Sequence, residues 1–298
     1  ALDWGAVAQA LARANYVWVS VGILTVLLTI AVRVARWKAL LYPQTARASN
    51  VLAAMLVGQL VNYFAPARAG DVVRAYLLGH SEGKSKIWAL GTIALEKLWD
   101  IWALLVLVIL LSLSTALPCG LASTTRGFAL LSTLAFILAW LALQYRPRVI
   151  TILDRLGRYL PLGLGTRLHM SIERLLDGLD GLRQPRVWFW SAIWSAATWG
   201  IGTLTNHTIL LALGLTLPFS ASMLLMAVLQ LGVALPSLPG RIGIFEGLCI
   251  VVLALFDVDQ DTAFAVGLVL HAVVFVPPIL LGLYYTWRTG GVNVVWDT

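Results

Sequence analysis

The residues of this sequence whose types could do chemistry are arginines paired with acids inside broken, apolar surroundings. The stretch Asn62–Arg74, NYFAPARAGDVVR, follows a short apolar run, Val51–Val61. It holds Pro66, Arg68, Gly70, Asp71 and Arg74. A second stretch, PSLPGRIGIFEG at Pro236–Gly247, holds Pro239, Gly240, Arg241, Gly243 and Glu246. A third, ALEKLWDIW, places Glu96, Lys97 and Asp100 inside a long apolar run. Guanidinium groups grip phosphate oxygens bidentately. Helices restarting after Gly70 and Gly240 would aim their N-termini inward, and such ends attract anions through unpaired N–H groups and partial positive charge. The chemistry is therefore anion binding. Arg68, Arg74, Arg241 and Asn62 are the candidate substrate-binding residues. Asp71, Glu96, Lys97, Asp100 and Glu246 are candidate countercharges or gates, and Pro66, Gly70, Pro239, Gly240 and Gly243 the structural breaks. The alternative for Asn62–Arg74 taken alone is an ordinary cytoplasmic loop with solvated charges.

Such charges need elements to carry them, and composition says which. Of 298 residues, 60% are hydrophobic and 12% charged, against about 25% charged in soluble domains. The expected fold is an all-α polytopic membrane protein in a single membrane domain. Five apolar stretches are long enough to span: Asn15–Val32, Ile87–Leu113, Gly127–Tyr145, Val187–Leu213 and Thr262–Trp287. The runs Val51–Val61 and Leu248–Phe256 fall short of the ~20 residues a spanning helix needs. Broken backbone beside them is tolerated only where it lines protein or water. They are expected to form two re-entrant hairpins, 51–78 and 219–256, in a first half (1–145) and a second half (187–298). Segment 146–186 should be a cytoplasmic amphipathic linker. Its Glu173, Asp177 and Asp180 read as a solvated polar face rather than a metal set.

Basic residues cluster at Arg33–Arg47 and Arg74–Lys86, while Asp257–Asp261 lacks them. The positive-inside rule then puts the N-terminus outside and the C-terminus in the cytoplasm. The first hairpin enters from inside and the second from outside. Paired interrupted segments in corresponding places of two halves point to an inverted repeat with its site near the midplane. The formal net charge of +7 is explained by this topology and by anionic headgroups, not by nucleic acid. Cys119 and Cys249 read as structural, and no zinc spacing, P-loop or nucleophile elbow is present, so no metal, cofactor or catalytic residue is expected. Asn206 and His207 could bond a neighbouring helix. His271 reads as a packed polar group, with a proton carrier as the alternative.

The residues Asn62, Pro66, Arg68, Gly70, Asp71 and Arg74, then Glu96, Lys97 and Asp100, then Pro239, Gly240, Gly243 and Glu246 resemble three ordered blocks. They are those of the flippase-like transmembrane domain of lysylphosphatidylglycerol synthase and its stand-alone relatives. The resemblance spans nearly the whole chain. It implies movement of a phospholipid or polyprenyl-linked lipid between leaflets of a prokaryotic cell (inner) membrane. In the bifunctional synthases a soluble aminoacyl-transfer domain follows. This sequence ends at Thr298, so that activity is not expected of it.

Three functions compete. One is a lipid translocase whose partner is a membrane lipid with an anionic phosphate headgroup. Another is a membrane enzyme on prenyl phosphates, with Glu96 and Asp100 holding Mg²⁺. The last is a non-transporting subunit that anchors a lipid-modifying enzyme docked on Arg167–Arg183; the expected protein partner is such an enzyme or a second copy of the chain.

Overall fold

The computed structural model describes residues 2–65, 68–114, 133–157, 164–232 and 239–288. Pro66, Cys119 and the expected outer loop 114–125 fall largely or wholly outside them. Among the described residues the regular structure is helical throughout. In chain order the helices are α1 Trp4–Ala12, α2 Tyr16–Leu40, α3 Ala48–Phe64, α4 Ala69–Ser81 and α5 Lys86–Ser114, then α6 Thr133–Gln144. They continue with α7 Arg146–Gly157, α8 Leu164–Leu179, α9 Pro185–Ala212, α10 Phe219–Gly232, α11 Ile244–Ala254 and α12 Gln260–Arg288.

Local sequence sets the boundaries. Asp3 caps α1 by accepting from the Gly5 and Ala6 N–H groups, and Asn15 caps α2 through Val17 N–H. Pro185 opens α9, where its missing N–H costs nothing. α2, α5, α9 and α12 have 25, 29, 28 and 29 residues. At ~1.5 Å per residue each outruns the ~30 Å hydrocarbon core. Outer faces of α2, α5 and α12 leave Leu24, Leu28, Val106, Ile109, Leu280 and Leu283 half or more exposed, as lipid contact allows. By contrast α4, α10 and α11 have 13, 14 and 11 residues, too few to cross, and α3 with 17 stands at the lower limit. Of the expected span Gly127–Tyr145, the described part is α6 and the residue that follows it.

α2 and α9 form the central pair and run antiparallel. Asn15 N–H donates to Ala212 C=O, Thr25 meets Thr205 at 2.9 Å, and Arg36 reaches Ser195 at 3.4 Å. Residue numbers rise on one helix as they fall on the other. Around this pair the two halves pack alike. α3 lies on α4 and α10 on α11; α4 lies on α5 and α11 on α12. The halves also exchange partners, α3 packing on α12 and α10 on α5. Equivalent helices that are antiparallel relate by an axis perpendicular to them, the arrangement of an inverted repeat.

The first hairpin is closed by a small-residue contact. A β-carbon on Gly70 would stand 1.8 Å from the Gly58 carbonyl oxygen, so α3 and α4 can cross here only without one. The linker helix α8 does more than lie on a surface. It packs on α5 backbone to backbone, where a β-carbon on Gly178 would come within 2.3 Å of the Trp88 carbonyl oxygen. The acids of this helix and of the turn after it surround Arg146, at 2.6 Å from Asp177, 3.7 Å from Glu173 and 3.8 Å from Asp180. Partial burial pushes the Asp180 carboxyl above its ordinary range, against the downward pull of Arg146.

Candidate functional site: two arginine-bearing breaks around a buried carboxylate

The first break turns at Arg68, whose backbone is left-handed (φ 55°) directly before α4. Asn62 on α3 fixes this turn: its Oδ1 accepts from Gly70 N–H at 2.8 Å, and its Nδ2 lies 3.4 Å from Asp71. Asp71 in turn meets Lys97 of α5 at 3.4 Å. One helical turn further, Arg74 points into the protein and meets Glu96 at 2.5 Å. The Arg74 guanidinium lies 3.9 Å from the centre of the Trp37 ring, which is itself fully buried.

Glu96 is completely buried and is the hub of this half. Besides Arg74 it binds Arg36 at 3.0 Å and has Arg33 at 3.9 Å. Arg36 spans to Asp100 at 2.6 Å. A buried carboxylate needs such partners, because desolvation costs several kcal/mol per ion. Arg36 was read from the sequence as part of a basic loop. In fact α2 continues to Leu40 and carries it into the core, fully buried. Its sequence signal was the three-residue step from Arg33 to Arg36, which extends the helical face of α2 toward Glu96.

The second break turns at Gly240 (φ 73°), Arg241 (φ 62°) and Gly243 (φ 87°). Arg241 adopts the same left-handed conformation as Arg68. That conformation costs a non-glycine residue about 1 kcal/mol or more, and such residues gather at functional sites. Glu246 then folds back on the start of α11, accepting from Gly243 N–H at 2.7 Å through one oxygen. Through the other it meets His271 Nδ1 of α12 at 2.5 Å. The His271 ring packs between Phe245 (5.1 Å) and Phe275 (4.4 Å).

The second break packs against the first hairpin. The Pro239–Arg241 turn packs on α3. Tyr63 of α3 stacks on Phe275 at 4.7 Å, and the Arg241 guanidinium sits 5.9 Å from the same ring. Arg241 lies within electrostatic reach of both Tyr63 and Arg68. Arg68 is exposed and Arg241 half-buried, and among the described residues neither forms an ion pair. A small cleft beside Arg241 is lined by Leu229, Gly232, Ile244, Phe245 and Leu248. Of the predicted set, Arg68 and Arg241 thus share one region, while Arg74 is engaged by Glu96. Asn206 and His207 hold a neighbouring helix, through Ser222 of α10 at 3.3 and 3.0 Å. His271 and Tyr63 belong to the site although spacing alone did not mark them.

Fold and site together define an all-helical membrane protein in which two sets of helices pack in the same pattern, each with an arginine-bearing break. The chain belongs to the lysylphosphatidylglycerol synthase TM region family, whose model matches residues 1–282. A UPF0104 membrane protein of Methanocaldococcus jannaschii is 24% identical over 225 residues, 74% of this chain and 91% of that relative. No solved structure matches.

Proposed function

We propose that this protein translocates a lipid with an anionic phosphate headgroup between leaflets, by alternating access around the two breaks. What supports the reading is that the Arg241 turn packs on α3, the helix that ends just before the Arg68 turn, and that among the described residues neither arginine forms an ion pair. A phosphate between them would gain two guanidinium partners and the N-terminal ends of α4 and α11. Lipid tails would remain in hydrocarbon beside the exposed apolar faces. Arg74, Glu96, Arg36 and Asp100 support this pair by fixing α4 on α5 and α2. The membrane-domain family, which belongs to a lipid-modifying synthase, agrees with a lipid substrate. In this reading the protein sits in a prokaryotic inner membrane, N-terminus outside and C-terminus in the cytoplasm.

The enzyme alternative needs Glu96 and Asp100 free to hold Mg²⁺. Arg36 binds both carboxylates, so they would have to exchange a buried cation for a metal. The anchoring alternative needs the face of α8 that Arg167, Arg174 and Arg183 expose, and no feature of that face selects a partner.

The test is flipping of fluorescent phosphatidylglycerol in phosphatidylcholine vesicles containing the purified protein. Arg68→Ala and Arg241→Ala should each slow it about tenfold or more, the loss of a charge-assisted hydrogen-bond pair. Rates unchanged in both variants would overturn the assignment.

A further inference from the structure

Internal correspondence between the halves singles out one pair of residues. Asp71 is the third residue of α4 and Glu246 the third of α11. Lys97 is the twelfth residue of α5 and His271 the twelfth of α12. Each acid meets its partner: Asp71 with Lys97 at 3.4 Å, Glu246 with His271 at 2.5 Å. The same tie therefore fastens each broken hairpin to the long helix behind it. In the first half the base is a lysine, a side-chain type whose ordinary pKa lies far above neutrality. In the second it is an imidazole, the side chain that ordinarily changes charge between about pH 5 and pH 8. A tie needed only for packing is satisfied by the first kind.

We infer that the Glu246–His271 pair is a proton-binding site whose occupancy is coupled to anion binding between Arg68 and Arg241. The inference rests on the translocase reading. With Nδ1–H donating to Glu246 and Nε2 unprotonated, the pair carries one negative charge. One proton on Nε2 makes it neutral. No bond to Glu246 has to break, so the hairpin stays fastened and only the charge of the site changes.

The groups around His271 decide what that charge does. α11 contributes Glu246 and the buried thiol of Cys249. The turn before α11 contributes Arg241, 5.9 Å from the Phe275 ring that packs on His271. α3 contributes Tyr63, on the same Phe275 ring at 4.7 Å, and Arg68 lies beyond, within reach of Arg241. α1, α2 and α9 also pack on α12, and among the described residues none of them brings an ionisable side chain into bonding contact with His271. Among the described residues the pair touches neither arginine, so its charge acts through space, and in this coupling the negative, unprotonated pair draws on the arginine charges. The protonated pair leaves both for the anion. Proton and anionic headgroup bind cooperatively, and by linkage the anion must also raise proton affinity. An anion and a proton carried together move less net charge through the bilayer than the anion alone.

The experiment uses full-length protein in detergent and soluble dihexanoyl phosphatidylglycerol, titrated from about pH 5.5 to about pH 8.5, the range an imidazole spans. Wild type should bind about tenfold more tightly at the acid end, a coupling of ordinary size. His271→Lys copies the first half, and should bind tightly with no pH dependence. His271→Gln should be flat at the weak value. Independently of any variant, adding the lipid to wild type at neutral pH should draw protons from a lightly buffered solution containing an indicator dye. Binding without pH dependence, or without proton uptake, overturns this inference and leaves the translocase reading standing. Absence of binding at every pH overturns both.

Discussion

Three guanidinium groups converge on Glu96, and it has no exposure to solvent. Removing it leaves Arg36 and Arg74 buried with one countercharge, Asp100, between them. Breaking a buried ion pair by deleting one partner costs about 3–5 kcal/mol. Glu96→Gln should therefore lower the unfolding temperature of the detergent-solubilised protein sharply. Arg68→Ala should leave it within experimental scatter, because Arg68 is exposed and unpaired among the described residues. Equal stability of Glu96→Gln and wild type would contradict the hub. The acids were legible in the sequence, since charges deep in an apolar run must find partners. Their main partner was not. Arg36 stands in a row of basic residues that topology alone explains, and only the path of α2 past Val32 brings it to Glu96. The residual charge of Glu96 and Asp100 pointed to Arg68 or Arg74 as a partner, and of the two it is Arg74 that meets Glu96. The left-handed turn at Arg68 starts α4, which carries Arg74 onto Glu96 of α5.

At the scale of elements, the first hairpin depends on close backbone approach. Gly70→Ala should prevent α3 and α4 from crossing, because the added carbon meets the Gly58 carbonyl oxygen and the Asn62 side chain. Loss of activity together with a lower unfolding temperature is expected. Gly200→Ala is the matched control. It lies on α9 with nothing within 4 Å of an added carbon, and should be neutral or stabilising by up to ~1 kcal/mol. Similar behaviour of the two variants would contradict the packing described. The existence of both hairpins could be read from apolar runs too short to span, broken by proline and glycine. The role of α8 could not. Its periodicity gives an apolar face, but a face does not say what covers it. The decisive signal is the pairing of Gly91 with Gly178, two glycines far apart in sequence whose meeting only the fold reveals. α1 was missed because a nine-residue helix before the first span has too few turns to show a period.

At the scale of the molecule, two halves share one packing pattern, with their central helices antiparallel and their hairpins exchanged. Alternating access follows if each hairpin rocks against the long helix of the other half. A cysteine pair replacing Thr25 and Thr205 should form a disulfide readily, as their hydroxyls lie 2.9 Å apart, and should preserve transport if the α2–α9 pair is the fixed axis. Loss of transport that reduction restores would place the moving joint there instead. Sequence suggested the inverted arrangement through topology alone. No residue repeat reveals it, because the halves keep the positions of their acid–base ties while changing the residue types, Asp71–Lys97 in one and Glu246–His271 in the other.

The central claim is that Arg68 and Arg241 together hold one anionic headgroup, and a double-mutant comparison of flipping rates measures it most directly. In vesicles carrying wild type, Arg68→Ala, Arg241→Ala and the double variant, the two single losses should not add. Once one arginine is gone the second should matter little, the non-additivity expected of residues that act on one ligand. Losses that multiply independently, or single variants as fast as wild type, would contradict the claim.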